Sequence, residues 1–216
     1  MKINTVLFDF DGTLADTFPI IIYSFRRVFS EYEGKDFTAD EIIGMFGPGE
    51  NEIFRKHISK YSCVEPAIER YYYIYKNKHR ELAKSSPGIY RMLQMLRARG
   101  ISLGVVTGKG KRSAEISLRE LEMLPYFDVV ITADDVVNPK PDPQGILIAV
   151  KRMNTSVERT VFVGDSNVDI KAGKQAGVIT AGVKWFRPAG FSFDVEPDMS
   201  FDSIEDFMEY IKGTVF

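Results

Sequence analysis

Short apolar runs alternate with helix-like stretches along most of this chain. Five runs rich in β-branched residues are predicted to be strands: Thr5–Phe10, Ile101–Val106, Val129–Thr132, Thr160–Val163 and Ile179–Val183. Stretches with apolar residues at helical spacing lie between or after them: Arg112–Glu122, Gln144–Met153, Asp169–Ala176 and Ser203–Ile211. Nearly continuous apolar strands that alternate with helices are typical of a parallel sheet covered on both faces, so we predict an α/β fold.

One helical segment interrupts this alternation between about Thr17 and Ser85. It contains no strand-like run, and a capping box is predicted at Thr38 and Glu41. Further helices are predicted over Ile20–Phe29, Glu50–Tyr61 and Pro66–Leu82. A segment of roughly 65 residues is too long for a connection inside a compact domain. We therefore predict an α/β core formed by residues 1–16 and 86–216, with an inserted all-helical cap of residues 17–85 over the strand ends.

Composition and charge narrow the classes of protein. The chain has 44% hydrophobic and 27% charged residues and a formal net charge of −2, which gives no electrostatic footprint for nucleic acid. No apolar run is long enough to span a bilayer, so neither nucleic acid nor membrane is expected as a partner. Cys63 is the single cysteine, and no leader-like segment precedes the first strand, so we expect a cytoplasmic protein. Monomer and homodimer both remain open.

Carboxylates follow the first and fourth predicted strands. Asp9 and Asp11 would start on one face of a strand end, and two acids so placed repel unless a cation or a proton-transfer task holds them together. Asp165 lies at the end of the fourth strand, and Asp169 follows it. Ligands in such sheets bind beyond the carboxyl ends of the strands, so Asp165 could share a cation with Asp9. Mg²⁺ suits one or two carboxylates with waters and a phosphate.

Groups suited to a phosphate follow the other strands. Thr107 offers a hydroxyl, and Gly108 lets backbone N–H groups approach an anion near a helix start. Lys140 lies between Pro139 and Pro141, which fix the backbone and could hold the ammonium in one place. Taken alone, each of these segments is also typical of an ordinary surface turn.

Together and in this order, the four motifs resemble those of the haloacid dehalogenase-like (HAD) superfamily, in its phosphatase branch with a helical cap after the first strand. The resemblance covers essentially the whole chain and implies a Rossmann-like parallel sheet with an inserted helical-bundle cap. It implies that Asp9 is the nucleophile, that Asp11 is the general acid and base, and that Lys140 is the third catalytic residue. The implied phosphate-binding residues are Asp9, Phe10, Asp11, Thr107, Gly108 and Lys140. The implied Mg²⁺ ligands are Asp9, Asp11 through its backbone carbonyl, and Asp165, with Asp169 supporting them.

The resemblance also implies the reaction class. Asp11 stands where dehalogenases of the superfamily carry Tyr and phosphonoacetaldehyde hydrolases carry Ala, which favours a phosphatase acting on a small phosphorylated metabolite, similar to phosphoglycolate phosphatase. A pyrophosphatase and a β-phosphoglucomutase-like phosphotransferase are alternatives, as is a non-catalytic phosphate-binding module. Ile21 lies near the position of a cap-hinge His in the mutases, which favours a hydrolase.

The cap is expected to determine the substrate specificity. Its segment Gly44–Glu50 resembles the loop that phosphoglycolate phosphatases and related pyrophosphatases place over the active site. Gly47 through its backbone, and Arg55 and Lys109 through their charge, are candidate substrate contacts. Glu50 would repel an anionic leaving group if it pointed inwards.

Overall fold

Six parallel strands form one sheet in the computed structural model, which describes residues 3–213. The outermost limits of the predicted core, residues 1 and 216, lie outside the described residues. The strands are β1 (Thr5–Phe8), β2 (Ser102–Val106), β3 (Val129–Ile131), β4 (Thr160–Gly164), β5 (Ile179–Val183) and β6 (Met199–Phe201). Their order across the sheet is β3-β2-β1-β4-β5-β6, and every neighbouring pair is parallel. The predicted α/β fold is confirmed.

Helices cover both faces of this sheet because its strands are apolar on both sides. The helices are α1 (Phe18–Glu33), α2 (Ala39–Ile43), α3 (Glu50–His57), α4 (Val64–Leu82), α5 (Pro87–Ala98), α6 (Lys111–Glu120), α7 (Gln144–Arg152), α8 (Asn167–Ala176) and α9 (Ile204–Gly213). Along β1, Val6 and Phe8 pack with the apolar side chains of α5, α6 and α9, whereas Leu7 packs with those of α7 and α8. This alternation follows from the two-residue period of a strand.

The helices α1 to α4 form a second unit with a core of its own. Its buried cluster is dominated by aromatic rings, and its largest fully buried members are Phe25, Phe29, Phe54, Tyr71 and Tyr75. This separate core supports the proposed division into an α/β domain and a helical cap. Within residues 3–213, none of the helices has the length and apolarity that crossing a bilayer requires.

Two chain crossings join the cap to the core, and they pair with each other. The N–H of Asp16 donates to the carbonyl of Lys84 at 2.8 Å, and the N–H of Lys84 donates back at 3.0 Å. This short antiparallel bridge lies beside the predicted boundaries of the cap. It holds both linkers in one place, so the cap is attached to the core through a single paired joint.

Cap helix α4 packs directly on core helix α6. At the rim, Glu69 pairs with Arg112 through both carboxylate oxygens, and Arg80 donates to Glu120 at 2.7 Å. In the buried centre, the Ser117 hydroxyl lies 2.8 Å from the Tyr75 hydroxyl and 2.9 Å from His79 Nε2. The rim pairs are exposed and contribute little each, so the buried polar group at Ser117 gives this contact its specific geometry.

Protonation of His79 is expected to destabilise the protein in acid. Its imidazole is fully buried, and burial together with the nearby Lys109 ammonium lowers its pKa to about 4. The carboxylates of Glu120 and Asp11 act in the opposite direction but more weakly. An unfolded His binds a proton near pH 6.5, so between about pH 6.5 and pH 4 the unfolded state holds the extra proton and stability falls as the pH falls.

The matched comparison is His79→Gln with His57→Gln, which alters the half-buried second histidine. Denaturant unfolding at about pH 7 and pH 5 should show that His79→Gln loses less stability on acidification than the wild type, by about 2 kcal/mol. His57→Gln should follow the wild type. Equal acid sensitivity in His79→Gln and the wild type would show that His79 takes up no proton on unfolding.

Candidate active site

The carboxyl ends of β1 and β4 form the centre of the candidate site. The chain builds the sheet outward from β1 in one direction, then crosses back to place β4 on its other side. When the connections that follow two adjacent parallel strands run to opposite sides, they leave a crevice beyond the strand ends, and ligands bind there. Asp9 follows β1, and its N–H donates to the carbonyl of Val163 at 2.8 Å. Asp165 follows β4, so the two carboxylates lie on either side of the crevice.

A tight turn after β1 brings Asp11 back over this edge. Gly12 has φ +83°, and the N–H groups of Leu14 and Ala15 donate to the carbonyl of Phe10 at 2.9 and 3.2 Å. A Cβ added at Gly12 would lie 2.2 Å from Asp165 Oδ2. Only glycine combines this backbone conformation with such a close approach to a carboxylate.

Three buried carboxylates lie close together, and two of them contact one ammonium. One oxygen from each of Asp9, Asp165 and Asp169 lies within 4.8 Å of the others. Lys140 Nζ lies 2.7 Å from Asp9 Oδ1 and 2.6 Å from Asp169 Oδ1. Burial alone would lower the pKa of Lys140, but Asp169 and Asp9 raise it above its usual value. Lys140 is therefore a fixed positive charge at the bottom of the site.

The acids in this cluster are poorly compensated. Burial raises the pKa of Asp9 well above its usual range despite the Lys140 ammonium, and the neighbouring carboxylates of Asp169 and Asp165 add to the rise. Burial, and then the Asp169 carboxylate, raises the pKa of Asp165 to about 7, although Arg187 and Lys140 oppose the rise. Clustered carboxylates that resist ionisation are the arrangement that a divalent cation stabilises.

The donor set fits Mg²⁺. Oδ2 of Asp165 is buried and accepts no hydrogen bond, although Arg187 Nε lies 2.7 Å away as an ion pair. That N–H donates instead to the backbone carbonyl of Asp165 at 3.1 Å. An all-oxygen group in which one buried carboxylate oxygen accepts no hydrogen bond suits a hard cation. Asp9 and Asp165 are the carboxylates that could hold it, with Asp169 beside them.

Asp169 is held in place by its own helix. It is the third residue of α8 and forms a capping box with Ser166, whose backbone N–H donates to Asp169 Oδ2 at 3.1 Å. The other carboxylate oxygen contacts Lys140. The helix start therefore fixes Asp169, and Asp169 fixes the ammonium that faces Asp9.

Asp11 has a different environment from Asp9. Lys109 Nζ lies 2.9 Å from Asp11 Oδ1, and the hydroxyl of Thr17 donates to the same oxygen. The Lys109 ammonium also lies 5.0 Å from the centre of the Tyr75 ring in the cap. Burial alone would lower the pKa of Lys109, but Asp11 above all raises it beyond its usual value. The segments that follow β1 and β2 thus meet the cap around the Asp11 carboxylate.

The remaining phosphate-binding candidates lie at the same edge. Thr107 is buried, and its hydroxyl accepts the N–H of Lys109 at 3.1 Å. Gly108 lines the cavity described below, and no atom lies within 4 Å of a Cβ built on it, so its backbone is accessible. The side chain of Phe10 is buried in the apolar core, which leaves only its backbone for a phosphate.

A cavity of about 400 Å³ lies between the sheet edge and the cap. Asp9, Asp11, Lys140 and Asp165 form its core side. Of the three candidate substrate contacts, Gly47 of the cap and Lys109 of the core line the cavity, and Arg55 does not. The guanidinium of Arg55 pairs with Glu52 at 2.7 Å and with Glu65 at 3.7 Å on the exposed surface. Arg55 is thus corrected from a candidate substrate contact to a surface ion-pair residue, because α3 carries it away from the cavity.

Two charged residues in the cavity wall, Arg187 and Glu50, were not among the predicted site residues. Arg187 follows β5, next to β4, and no motif in the sequence surrounds it. Its position after a strand was the available signal. Glu50 points inwards from the start of α3, accepts the N–H of Gly110 at 2.8 Å and accepts the Ser113 hydroxyl. No pattern in the sequence predicts this contact between the cap and α6.

Comparison with known proteins agrees with the fold. The sequence profile of the haloacid dehalogenase-like hydrolases matches residues 6–183. Pyrophosphatase PpaX of Bacillus mycoides (strain KBAB4) is 34% identical over 209 residues, which cover 96% of each chain. The chain belongs to the haloacid dehalogenase-like hydrolase family, and its relatives support a phosphatase activity.

Solved structures share the whole architecture. A predicted phosphoglycolate phosphatase from Haemophilus somnus 129PT has a TM-score of 0.83 and 19% identity, and covers 98% of this chain and 99% of its own. CbbY from Rhodobacter sphaeroides, in complex with phosphate, has a TM-score of 0.83 and 22% identity, with 95% and 96% coverage. At these identities the two structures show the fold of this chain and leave its substrate open.

Proposed function

We propose that this protein is a Mg²⁺-dependent phosphatase that hydrolyses a small phosphate monoester through an aspartyl-phosphate on Asp9. The observation that carries the proposal is the buried group of Asp9, Asp165 and Asp169 around Lys140, with Asp11 beside it in the same cavity. A carboxylate nucleophile, an acid and base, a phosphate-binding ammonium and an oxygen-rich cation site are then all present at one edge of the sheet.

In the first step, a carboxylate oxygen of Asp9 attacks phosphorus, and the bond from phosphorus to the ester oxygen breaks. Asp11 gives its proton to that leaving oxygen. Lys140 contacts Asp9 and would hold a phosphoryl oxygen next to it, with the Thr107 hydroxyl and the Gly108 N–H as the other donors. The products are the aspartyl-phosphate and an alcohol.

In the second step, water replaces the alcohol in the same line. Asp11, now a carboxylate, takes a proton from that water as its oxygen bonds to phosphorus. The bond from phosphorus to Asp9 breaks, which releases inorganic phosphate and restores the Asp9 carboxylate. Lys109 and Thr17, which both contact Asp11 Oδ1, orient this carboxyl group for both proton transfers.

The bound Mg²⁺ would neutralise the repulsion between the Asp9 carboxylate and the anionic substrate and stabilise charge in the transition state. Asp9 and Asp165 would hold it through carboxylate oxygens, and the resemblance adds the backbone carbonyl of Asp11. Asp169 contributes by orienting Lys140. The single cysteine, Cys63, supports a reducing cytoplasmic location as part of the same proposal.

Among the alternatives, pyrophosphate hydrolysis is favoured because the 34%-identical relative is a pyrophosphatase. Pyrophosphate hydrolysis would use the same catalytic residues and would differ only in the leaving group, which is phosphate and not an alcohol. The mutase alternative has less support, because Ile21 lines the cavity and cannot transfer a proton. A module that binds phosphate without catalysis would need none of the acid and base machinery that Asp11 provides.

The direct test is steady-state hydrolysis of p-nitrophenyl phosphate with Mg²⁺ and with EDTA. We expect turnover with Mg²⁺ present. Removal of the metal with EDTA should lower the turnover rate on the order of 100-fold or more, and adding Mg²⁺ back should restore that rate. Equal rates in Mg²⁺ and EDTA would remove the metal from the proposal. Release of p-nitrophenol no faster than in buffer, with Mg²⁺ present, would overturn the proposed function.

A further inference from the structure

The cap side of the active-site cavity is almost entirely apolar. Apart from Gly47, the cap residues that line it are Phe18, Ile21, Phe25, Ile43, Phe46, Pro48, Glu50 and Ile53. Within the described part of the chain, Glu50 is the one ionisable residue of this wall. The phosphoryl group is held on the core side, so the cap wall faces the part of the substrate that leaves.

Several of these apolar side chains are accessible without a ligand. Three of the lining side chains are exposed: Ile43 and Phe46 of the cap at 43% and 36%, and Val168 of the core domain at 42%. Large apolar side chains that remain accessible around one concave site mark a surface that gains free energy when an apolar group covers it. A cavity of about 400 Å³ also has room for more than a two-carbon leaving group.

The three cations that line the cavity all belong to the core domain, and each contacts an acid there. Lys140 pairs with Asp9 and Asp169, and Lys109 pairs with Asp11. Arg187 pairs with Asp165 and donates to its backbone carbonyl. Among the described residues that line the cavity, the cap contributes no cation that could hold a second anionic group of a substrate.

The start of α6 is occupied as well. A helix N-terminus is the other feature that commonly holds an anion. Here the N–H of Gly110 donates to Glu50 at 2.8 Å, and the N–H of Lys111 donates to Asp134 at 2.5 Å. Glu50 is also negatively charged and buried in the cavity wall, so it disfavours a second anion nearby.

From these contacts we propose that the substrate is a phosphate monoester with an uncharged, largely apolar leaving group, such as an aromatic-methyl or branched-alkyl alcohol. This inference rests on the proposed function, since it concerns the leaving half of the same ester. It separates the chain from hydrolases of phosphoglycolate or pyrophosphate, whose leaving groups carry a negative charge. Phe46, Ile43 and Val168 contact the leaving group and select for it.

Three alkyl phosphates and pyrophosphate test this specificity with purified protein and Mg²⁺. Phosphoglycolate and phosphoglycolamide have nearly the same size and differ by one negative charge, and benzyl phosphate adds an apolar ring. We expect kcat/KM for benzyl phosphate to exceed that for phosphoglycolate by about tenfold or more, with phosphoglycolamide between them. Pyrophosphate should fall below phosphoglycolamide.

Substitutions in the wall should move this preference in a defined direction. Phe46→Ala should lower kcat/KM for benzyl phosphate about tenfold. Ile43→Arg should raise kcat/KM for phosphoglycolate about tenfold and lower it for benzyl phosphate, since it adds a cation to the wall. Tyr61→Ala, which changes a cap aromatic that is 92% exposed and does not line the cavity, should alter neither value.

The two proposals fail in different ways. A preference for phosphoglycolate or pyrophosphate over both neutral esters would overturn the inferred leaving group and leave the phosphatase intact. Unchanged specificity in both Phe46→Ala and Ile43→Arg would do the same. Failure to hydrolyse any of these phosphates, or p-nitrophenyl phosphate, with Mg²⁺ present would overturn the proposed function itself.

Discussion

Replacing Asp9 with Asn should lower kcat for p-nitrophenyl phosphate by on the order of 10⁴-fold. An amide oxygen of nearly the same shape can still accept the Lys140 ammonium that lies 2.7 Å from Asp9 Oδ1. It is not a nucleophile toward phosphorus, so the covalent step is lost while the packing around the site is kept. Initial rates at saturating Mg²⁺, with unfolding curves to check stability, measure this effect.

The matched control is Asp198→Asn, in the same core domain but away from the cavity. Asp198 pairs with Lys174 at 3.4 Å and accepts the Thr180 N–H at 2.8 Å, so this substitution also removes one carboxylate from an ion pair. It should retain wild-type turnover. Residual activity of Asp9→Asn above about a tenth of the wild type would place the nucleophile on another residue.

The residues at the sheet edge could be predicted because strand ends are a local property of the sequence. An apolar run predicts where β1 and β4 lie, and parallel strands bring their carboxyl ends to one edge. Asp9 and Asp165 were therefore expected at the same edge, and they lie close together because β1 and β4 are neighbours in the sheet. The exact strand limit was less predictable: β1 ends at Phe8 and not at Phe10, because the turn around Gly12 begins earlier.

Two elements were absent from the prediction for different reasons. β6 (Met199–Phe201) has three residues of mixed polarity, and it forms only because β5 offers an open edge for pairing. Helix α5 (Pro87–Ala98) did carry local signals, since Ser86 caps it and Pro87 stands at its first position. Its apolar residues also have helical spacing. A search for helix N-capping residues in the sequence that follows the cap domain would therefore have found α5.

The cap wall was beyond sequence reasoning because it depends on how two domains pack. A run of Gly and Pro between α2 and α3 predicts a loop, but it does not say which side chains the loop turns inwards. Glu50 turned inwards onto α6, whereas Arg55 turned out to Glu52 and Glu65. The two residues are five apart, yet only the tertiary structure separates a cavity residue from a surface one.

Replacing Lys140 with Met should affect both turnover and stability, and the stability effect should grow as the pH rises. Loss of a preorganised charge at the phosphoryl group should lower kcat/KM on the order of 100-fold or more. In EDTA, removal of one partner from a buried ion-pair group should cost about 3 kcal/mol of unfolding free energy at about pH 8. Lysine 140 contacts two carboxylates there, Asp9 and Asp169.

The pH dependence follows from the acids that Lys140 leaves behind. Burial already raises the pKa of Asp9, and loss of the ammonium that opposes this rise must raise it further. The folded variant then holds a proton that the unfolded chain has released, so its stability is greater at about pH 6 and decreases toward about pH 8. Lys174→Met, which breaks the surface pair with Asp198, should cost at most about 1 kcal/mol with little dependence on pH. The expectation is wrong if Lys140→Met is at least as stable as Lys174→Met at both pH values. That result would show that the Lys140 ammonium does not compensate the buried carboxylates in the metal-free protein.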